Sequence, residues 1–393
     1  FSFIDVAKKI QEEGFDWYSL KIYYPIRIGE VFQSRYEVLT KLGYGRTPEI
    51  SAPGRLRDHR YVALKVCISD YPSVAREKGA YNRLRSLRES PLIQKCWDSF
   101  TIQGREGAVH EYLVLEPLCS NLAYFGKHVA SGWENLELFR ATATLVFDAL
   151  RFLHTEAHLI HCDLREENFL LRTASDGVFQ ALEEYEAREP SPRKVDGEHV
   201  VHTTSVAMYP DDITGIVLTD FGETRPGDAS TLYNDDIQSL PYRAPEVLLD
   251  IPFWYPVDVW NAGVMLWHMF EAKPLFHPFT SKGEPWNVLH LRQMVNVMGL
   301  PPLRLLERSI NPEWIHKQYF DRDGQWIGVI PVHSDRGLEW RENRLHGEER
   351  AEFLRFMRRC LQWEPEKRAT AAELCEDPWL KPATEETVEA RKS

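Results

Sequence analysis

The spacing of apolar residues changes once along this chain, near residue 120, and that change limits the folds open to it. Before it, apolar residues alternate or fall in short dense blocks. Residues 35–42 put Tyr36, Val38, Thr40 and Leu42 on one face at period two, then break at Gly43-Tyr44-Gly45. Residues 61–68 and 111–115 are dense apolar runs, and between them a helix-like stretch at 75–87 aligns Tyr81, Leu84 and Leu87. After residue 120 the period is helical. Residues 134–154 place Leu138, Leu145, Val146, Ala149, Leu150 and Leu153 near a 3.6 repeat, which predicts a long helix with a buried stripe. Residues 257–271, 287–298 and 349–362 also read as helices, and Pro301-Pro302 closes one of them. A small sheet with one helix, followed by a larger helical body, is an α+β arrangement of two lobes, and 393 residues suffice for both. There is no internal repeat.

Composition narrows the function classes. With 43% hydrophobic and 27% charged residues the chain can bury a large core without disulfide staples. Its six cysteines (Cys67, Cys96, Cys119, Cys162, Cys360, Cys375) form no C-x-x-C pair, which argues against a zinc knuckle or a disulfide framework and fits a reducing compartment. The most apolar run, between Pro256 and Pro274, carries Asp258, Asn261, His268 and Glu271; it is too short and too polar to span a bilayer and reads as a buried core helix. The net charge of −12 argues against a general nucleic-acid binder and favours basic partners, or simply solubility. Half of that charge sits in residues 176–212, where nine acidic residues face three basic ones. With Pro190, Pro192 and Pro210, this stretch reads as a long, solvated, inserted loop, partly helical around 179–187.

The sharpest chemical signal is Ile160-His161-Cys162-Asp163-Leu164-Arg165-Glu166-Glu167-Asn168, followed 52 residues after Asn168 by Asp220-Phe221-Gly222. Phosphoryl transfer from a nucleotide needs a carboxylate to orient and receive the hydroxyl proton, a role that suits Asp163. It also needs hard oxygen ligands for Mg²⁺, which suit Asn168 and Asp220.

In this order the two strings resemble the signature set of the eukaryotic protein kinases, and the bilobal α+β fold of that family is the resulting expectation. The resemblance implies ATP and Mg²⁺ as cofactors and gives Val62-Ala63-Leu64-Lys65 the strand lysine that pairs with the phosphates, with Glu77 as its helix partner. It places adenine against Leu42 and Ile50, and on the backbone around Glu116 and Leu118, beyond Leu115 as gatekeeper. The Gly-rich turn then holds Gly43 and Gly45. Arg165 would steady the transferred phosphoryl. Ala244-Pro245-Glu246, Arg368 and Asp258 match residues that hold the site in place and touch no substrate. Tyr242-Arg243-Ala244-Pro245-Glu246 and the stretch 273–347 look like the CMGC group. The run Tyr24-Pro25-Ile26-Arg27-Ile28-Gly29-Glu30-Val31-Phe32, then Lys41-Leu42-Gly43-Tyr44-Gly45, is similar to the SR-protein kinases of the fungal-type branch, as is Asp236-Ile237-Gln238. The likeness covers about residues 20–381. It divides the chain into an extension (1–30), an N-lobe (31–116), a C-lobe (117–381) with an acidic insertion at 173–215 and a CMGC-like insert at 273–347, and a tail (382–393). It implies basic, Arg-Ser-rich protein substrates, no direct contact with nucleic acid or membrane, a monomer, and a cytoplasmic and nuclear location.

Departures from the family pattern are as informative. Pro48 stands where the third small residue of the Gly-rich loop is usual, and it removes a backbone N–H that could face a phosphate. Arg165 replaces the usual lysine, exchanging a compact ammonium for a planar fork. Cys162 replaces the arginine that reads a phosphate on the activation segment in many kinases, which predicts activity without that phosphate. Glu166 and Glu167 add negative charge that would attract a basic peptide. Ser281-Lys282-Gly283-Glu284-Pro285-Trp286 is poor in acid, which argues against processive docking. Lys65 reads as a surface-facing strand lysine with no packing role. The rival to an active kinase is a pseudokinase scaffold, favoured by Pro48 and Arg165 and opposed by Lys65, Asp163, Asn168 and Asp220.

Overall fold

The computed structural model describes residues 3–15, 18–19, 23–44, 49–55, 60–67, 71–104, 107–128, 133–196, 199–204, 209–210, 212–228, 231–333 and 335–381. The chain divides into two compact units, residues 1–121 with 169–222, and residues 122–168 with 223–393.

The first unit is built on an antiparallel sheet of seven strands: β1 (Val31–Phe32), β2 (Tyr36–Val38), β3 (Gly43–Tyr44), β4 (Glu49–Arg55), β5 (Tyr61–Cys67), β6 (Cys96–Gln103) and β7 (Val109–Leu115). The order is β1-β2-β4-β5-β7-β6, with β3 paired to β4. Central β5 is buried along its whole length, so it reads as a continuous apolar run and not as an alternating one. Val62, Leu64 and Val66 pack with Ile26, Phe32, Tyr36, Val38, Tyr112 and Val114, and Phe100 stacks between Tyr36 and Tyr112. Helix α1 (Pro72–Arg85) starts with proline in its first turn, where the missing N–H costs nothing. It buries Ser73, Glu77, Ala80 and Tyr81, one stripe at helical spacing.

The acidic stretch expected to be a solvated loop is instead folded onto this unit. Strand Phe169–Thr173 pairs antiparallel with Ile213–Leu218, and between them lie helix Gly177–Arg188 and a hairpin of Arg193–Asp196 with His199–His202. The helix buries Phe179, Leu182 and Glu186; Tyr61 packs on Phe179 and donates to Glu183 at 2.5 Å. Its acidic residues hid this amphipathic face, because two of the charges are themselves bonded on the inner side.

The second unit is helical around Leu136–Phe152, Pro256–Glu271 and Gly347–Cys360. Asn135 caps the first of these through the Leu138 N–H at 3.0 Å. Its buried stripe runs through Phe139, Ala143, Val146, Phe147 and Leu150. Leu138, expected inside, is 36% exposed: it lies in the first turn of a helix that begins at Leu136, where Phe139 takes the inward position. Pro256–Glu271 is the buried core helix anticipated from its composition, and Gly263 lets it approach Gly347–Cys360: a Cβ there would meet Cys360 Cβ at 2.7 Å. Among the described residues no helix is long and apolar enough to cross a membrane.

Candidate active site

In the first unit, β5 and α1 bring a cation and two carboxylates together. Lys65 pairs across the sheet with Ser51 and Leu113, and its Nζ donates to Glu77 Oε1 at 2.6 Å and to Asp220 Oδ1 at 3.2 Å. Lys65 is only 5% exposed, so the surface-facing reading is corrected: a strand covered on both faces can direct a lysine inward when a helix carboxylate receives it. Burial pushes the Glu77 carboxyl up, against the downward pull of Lys65 beside it, and Asp220 adds to the rise. Asp220 is held at φ 61°, a left-handed conformation uncommon for a residue with a side chain. Phe221 packs edge-on against Tyr81, and Arg76 Nε donates to the Gly222 carbonyl at 2.7 Å.

The residues assigned to adenine and phosphate contact are only partly within view. Leu42 is half-buried and Gly43 pairs with Ser51. Gly45 and Pro48 lie outside the described residues; Ile50 is placed by its backbone pairing with Tyr44 and Val66. Leu115 and Leu118 are buried. The Glu116 carboxylate is gripped by Arg172 at 2.7 and 3.0 Å, and its carbonyl accepts from Gln94 Nε2 at 3.0 Å.

In the second unit, residues 160–168 are shaped by one buried carboxylate. Asp258 accepts the backbone N–H groups of His161 at 2.7 Å and Cys162 at 2.9 Å, and His154 Nε2 lies 3.0 Å away. Asn261 closes a two-bond clamp on the Leu164 backbone at 2.8 and 2.7 Å. Asp163 thereby stands on a fixed loop, half-buried, with the Ser239 hydroxyl donating to its Oδ1 at 3.3 Å and Arg165 Nε 3.6 Å from its Oδ2. Asn168 Nδ2 donates to the Asp163 carbonyl at 2.8 Å, which settles which end of that amide is oxygen.

The family model described as "protein kinase domain" matches residues 36–380. The chain belongs to the protein kinases. It is 35% identical to a serine/threonine protein kinase of Aspergillus fumigatus over 387 residues, 97% of this chain and 93% of that one. It is 27% identical to the serine/threonine-protein kinase SRPK of Physarum polycephalum over 400 residues, 94% of this chain and 91% of the relative. It is also 27% identical to the mouse dual specificity tyrosine-phosphorylation-regulated kinase 3, covering 89% of this chain and 54% of that protein. The activity is serine/threonine protein phosphorylation with ATP as phosphoryl donor, and the sheet-bearing and helical units are the α+β fold of the family.

Around these centres the kinase carries supporting contacts. Arg368 grips Glu246 through two bonds of 2.6 Å, both side chains essentially inaccessible, and lies over Trp260. Cys162 is fully buried, its thiol pushed well up by desolvation, so it offers no thiolate and no cation. Two nearby arginines already have acidic partners on the same segment: Arg225 pairs with Asp235 and Arg243 with Asp236, the latter at 2.7 Å. Glu166 approaches His268 at 3.4 Å, and Tyr242 bonds the same histidine nitrogen at 2.7 Å. Burial, with the charge of Glu167, raises Glu166 to about 7. Burial thus weakens the negative charge expected of Glu166 at neutral pH, while Glu167 is exposed.

Three residues that shape this region escaped the sequence reading: Asn261, Ser239 and His154. Asn261 follows Asp258 by three residues, just under one helical turn, a spacing that puts both on the same face and that could have been noticed. Ser239 follows Asp236-Ile237-Gln238 and His154 ends the stretch read as a helix, but neither pattern marks its contact, and only the folded backbone brings them to Asp163 and Asp258.

Proposed function

We propose that this kinase is catalytically active and phosphorylates serines in basic, Arg-Ser-rich proteins, using ATP with Mg²⁺. The observation that carries activity is the Lys65–Glu77–Asp220 cluster, which holds an ammonium in place for phosphate oxygens beside a carboxylate suited to Mg²⁺. Asp163 orients the substrate hydroxyl and receives its proton; the Ser239 hydroxyl at 3.3 Å supports this, since it is an alcohol already hydrogen-bonded to that carboxylate. Arg165, within 3.6 Å of Asp163, directs its guanidinium charge to the transferred phosphoryl. Asn168 and Asp220 each offer a hard oxygen donor of the kind Mg²⁺ prefers, and the ion would neutralise charge on the phosphates.

The substrate class rests on two supports. Relatives include a kinase named SRPK and, in mouse, SRSF protein kinase 3, at 27% and 22% identity. Exposed Glu167 adjoins the Asp163 loop, where it favours a guanidinium close to the reacting serine. A cavity of about 530 Å³ in the second unit, lined by Asp236, Leu240, Arg243, Trp286 and Tyr319 among others, is not an acidic groove, because Arg243 neutralises Asp236. Weak selectivity along the peptide follows. The test is transfer of γ-phosphate to an Arg-Ser repeat peptide, a proline-directed peptide and an acidic peptide, each with and without Mg²⁺. Preference for the arginine peptide is expected; preference for either other peptide overturns the substrate class, and no transfer to any overturns activity.

A further inference from the structure

The acidic insertion and the N-terminal segment meet on the two residues that lead into the Gly-rich turn. Glu12, in the single helical turn Gln11–Gly14, accepts from Lys41 Nζ at 2.6 Å, and both side chains are 5% exposed or less. The same ammonium donates to the His202 carbonyl at 3.0 Å, at the end of the insertion's hairpin. Next to it, Thr40 Oγ1 donates to Glu186 of the insertion helix at 3.0 Å, and Glu186 is held in turn by the N–H and hydroxyl of Ser191 at 2.8 and 2.6 Å. The N-terminal segment and the hairpin are also tied to each other: Ile4 N–H bonds the Arg193 carbonyl at 3.0 Å, and Lys194 pairs with Glu13 at 2.8 and 2.9 Å. Every one of these groups lies in the first unit.

A buried ion pair is a weak source of net stability, because the desolvation of both charges offsets their attraction. What such a pair does supply is a single geometry, since any displacement leaves a charge uncompensated. Here the geometry is imposed on Thr40 and Lys41, one and two residues before Leu42. Leu42 and Gly43 begin the stretch assigned to adenine and phosphates.

We propose that the N-terminal segment and the 173–215 insertion form a brace that fixes Thr40 and Lys41, and through them Leu42 and Gly43 at the entry to the Gly-rich turn, for nucleotide binding, with Glu12, Lys41, Thr40 and Glu186 as positioning residues. The proposal rests on the assignment of residues 42–50 to the nucleotide. The four residues act through Leu42 and Gly43, so loss of the brace should be read in ATP affinity and not in peptide affinity. Two parts far apart in sequence, 3–14 and 176–204, are then both needed for one property of the turn.

The test uses the full chain and steady-state kinetics, with a thermal melt of each variant. Glu12→Gln and Lys41→Met should each raise the KM for ATP about tenfold and leave the peptide KM within twofold. The double variant should be no worse than the poorer single, because the two act as one unit. Thr40→Val guards against variants that fail to fold: it removes the bond to Glu186 and leaves Glu186 its two bonds to Ser191. A threefold rise in ATP KM is expected there. A merely structural role would lower the melting temperature and leave the ATP KM of the folded protein unchanged; that result, or an equal rise in peptide KM, overturns the brace. Failure of the underlying assignment is distinguishable: Leu42→Ala, which alters the turn directly, would then also leave the ATP KM unchanged.

Discussion

Lys65→Met tests how the first unit balances a buried charge against function. Methionine replaces the lysine stem at similar volume, so the packing of β5 is kept and only the ammonium is lost. Glu77, whose side chain is 2% exposed, then has no cation at 2.6 Å, and Asp220 remains near it as a like charge. Removing one partner of a buried pair costs about 3–5 kcal/mol. That is a large part of a typical stability of about 5–15 kcal/mol. The cost is limited by protonation, because burial already raises the Glu77 pKa and the loss of Lys65 raises it further. A carboxyl whose folded pKa lies above its unfolded one favours the folded state at low pH and loses that contribution as pH rises from the unfolded value, about 4.3, through the folded one. The variant should therefore melt several degrees below the parent at pH 8, and the gap should shrink toward pH 5. Lys65→Met/Glu77→Leu should recover most of the loss, since an apolar pair of similar volume is well tolerated in place of buried ions. Neither variant should recover activity, because the phosphate-binding cation is gone; a fall of at least about 10²-fold in kcat follows from removing one preorganised electrostatic group. Melting curves with and without urea at pH 5 and 8, read beside a γ-phosphate transfer assay, decide the matter. A single variant as stable as the parent at pH 8 would refute the burial reasoning, and retained activity would refute the role of Lys65.

Asp163→Asn should lose turnover and keep ATP binding by calorimetry, because it removes the proton acceptor and no metal ligand; an equal loss of ATP affinity would mean the roles are confused. Phosphatase-treated protein should keep its rate, since Cys162 offers no cation to read a phosphate and Arg225 and Arg243 are already paired with Asp235 and Asp236; a collapse in rate would show that one of these arginines serves a phosphate instead. The KM for an arginine-rich peptide should rise with salt while kcat changes less, because exposed charges are screened over about 8 Å at physiological ionic strength. Glu167→Gln should flatten that salt dependence, and an unchanged slope would place the attraction elsewhere on the surface.

Much of the candidate site was legible because it is local. The strings at 160–168 and 220–222 carry their residue types in a fixed order, and each is folded by contacts within its own unit. The helix partner of Lys65 was found from the period of α1, since Glu77 lies four residues before buried Tyr81. Exposure was less legible than identity. Lys65 and Glu77 are charged yet inaccessible, and no hydropathy pattern signals a charge that is buried because it is paired. Glu166 and Glu167 look equivalent in sequence, but one is enclosed beside His268 and Tyr242 and titrates near 7 while the other is exposed.

The insertion was misread for the same physical reason on a larger scale. Counting nine acids in 176–212 treats each as a solvated charge, which favours disorder. Glu183 and Glu186 instead face Tyr61 and Thr40, so they act as hydrogen-bond acceptors on the inner side of the helix, next to Phe179 and Leu182. With those two removed from the polar face, the helix is amphipathic in the ordinary way. Their partners lie more than 120 residues earlier in the chain, in strands and connections that no local window contains. A charged residue therefore becomes readable as a core residue only once its partner is known. In this kinase Tyr61 lies on the strand that also carries Lys65 and Thr40 on a connection between strands of the same sheet, which makes an apparently decorative acidic segment part of the unit that carries the residues assigned to the nucleotide.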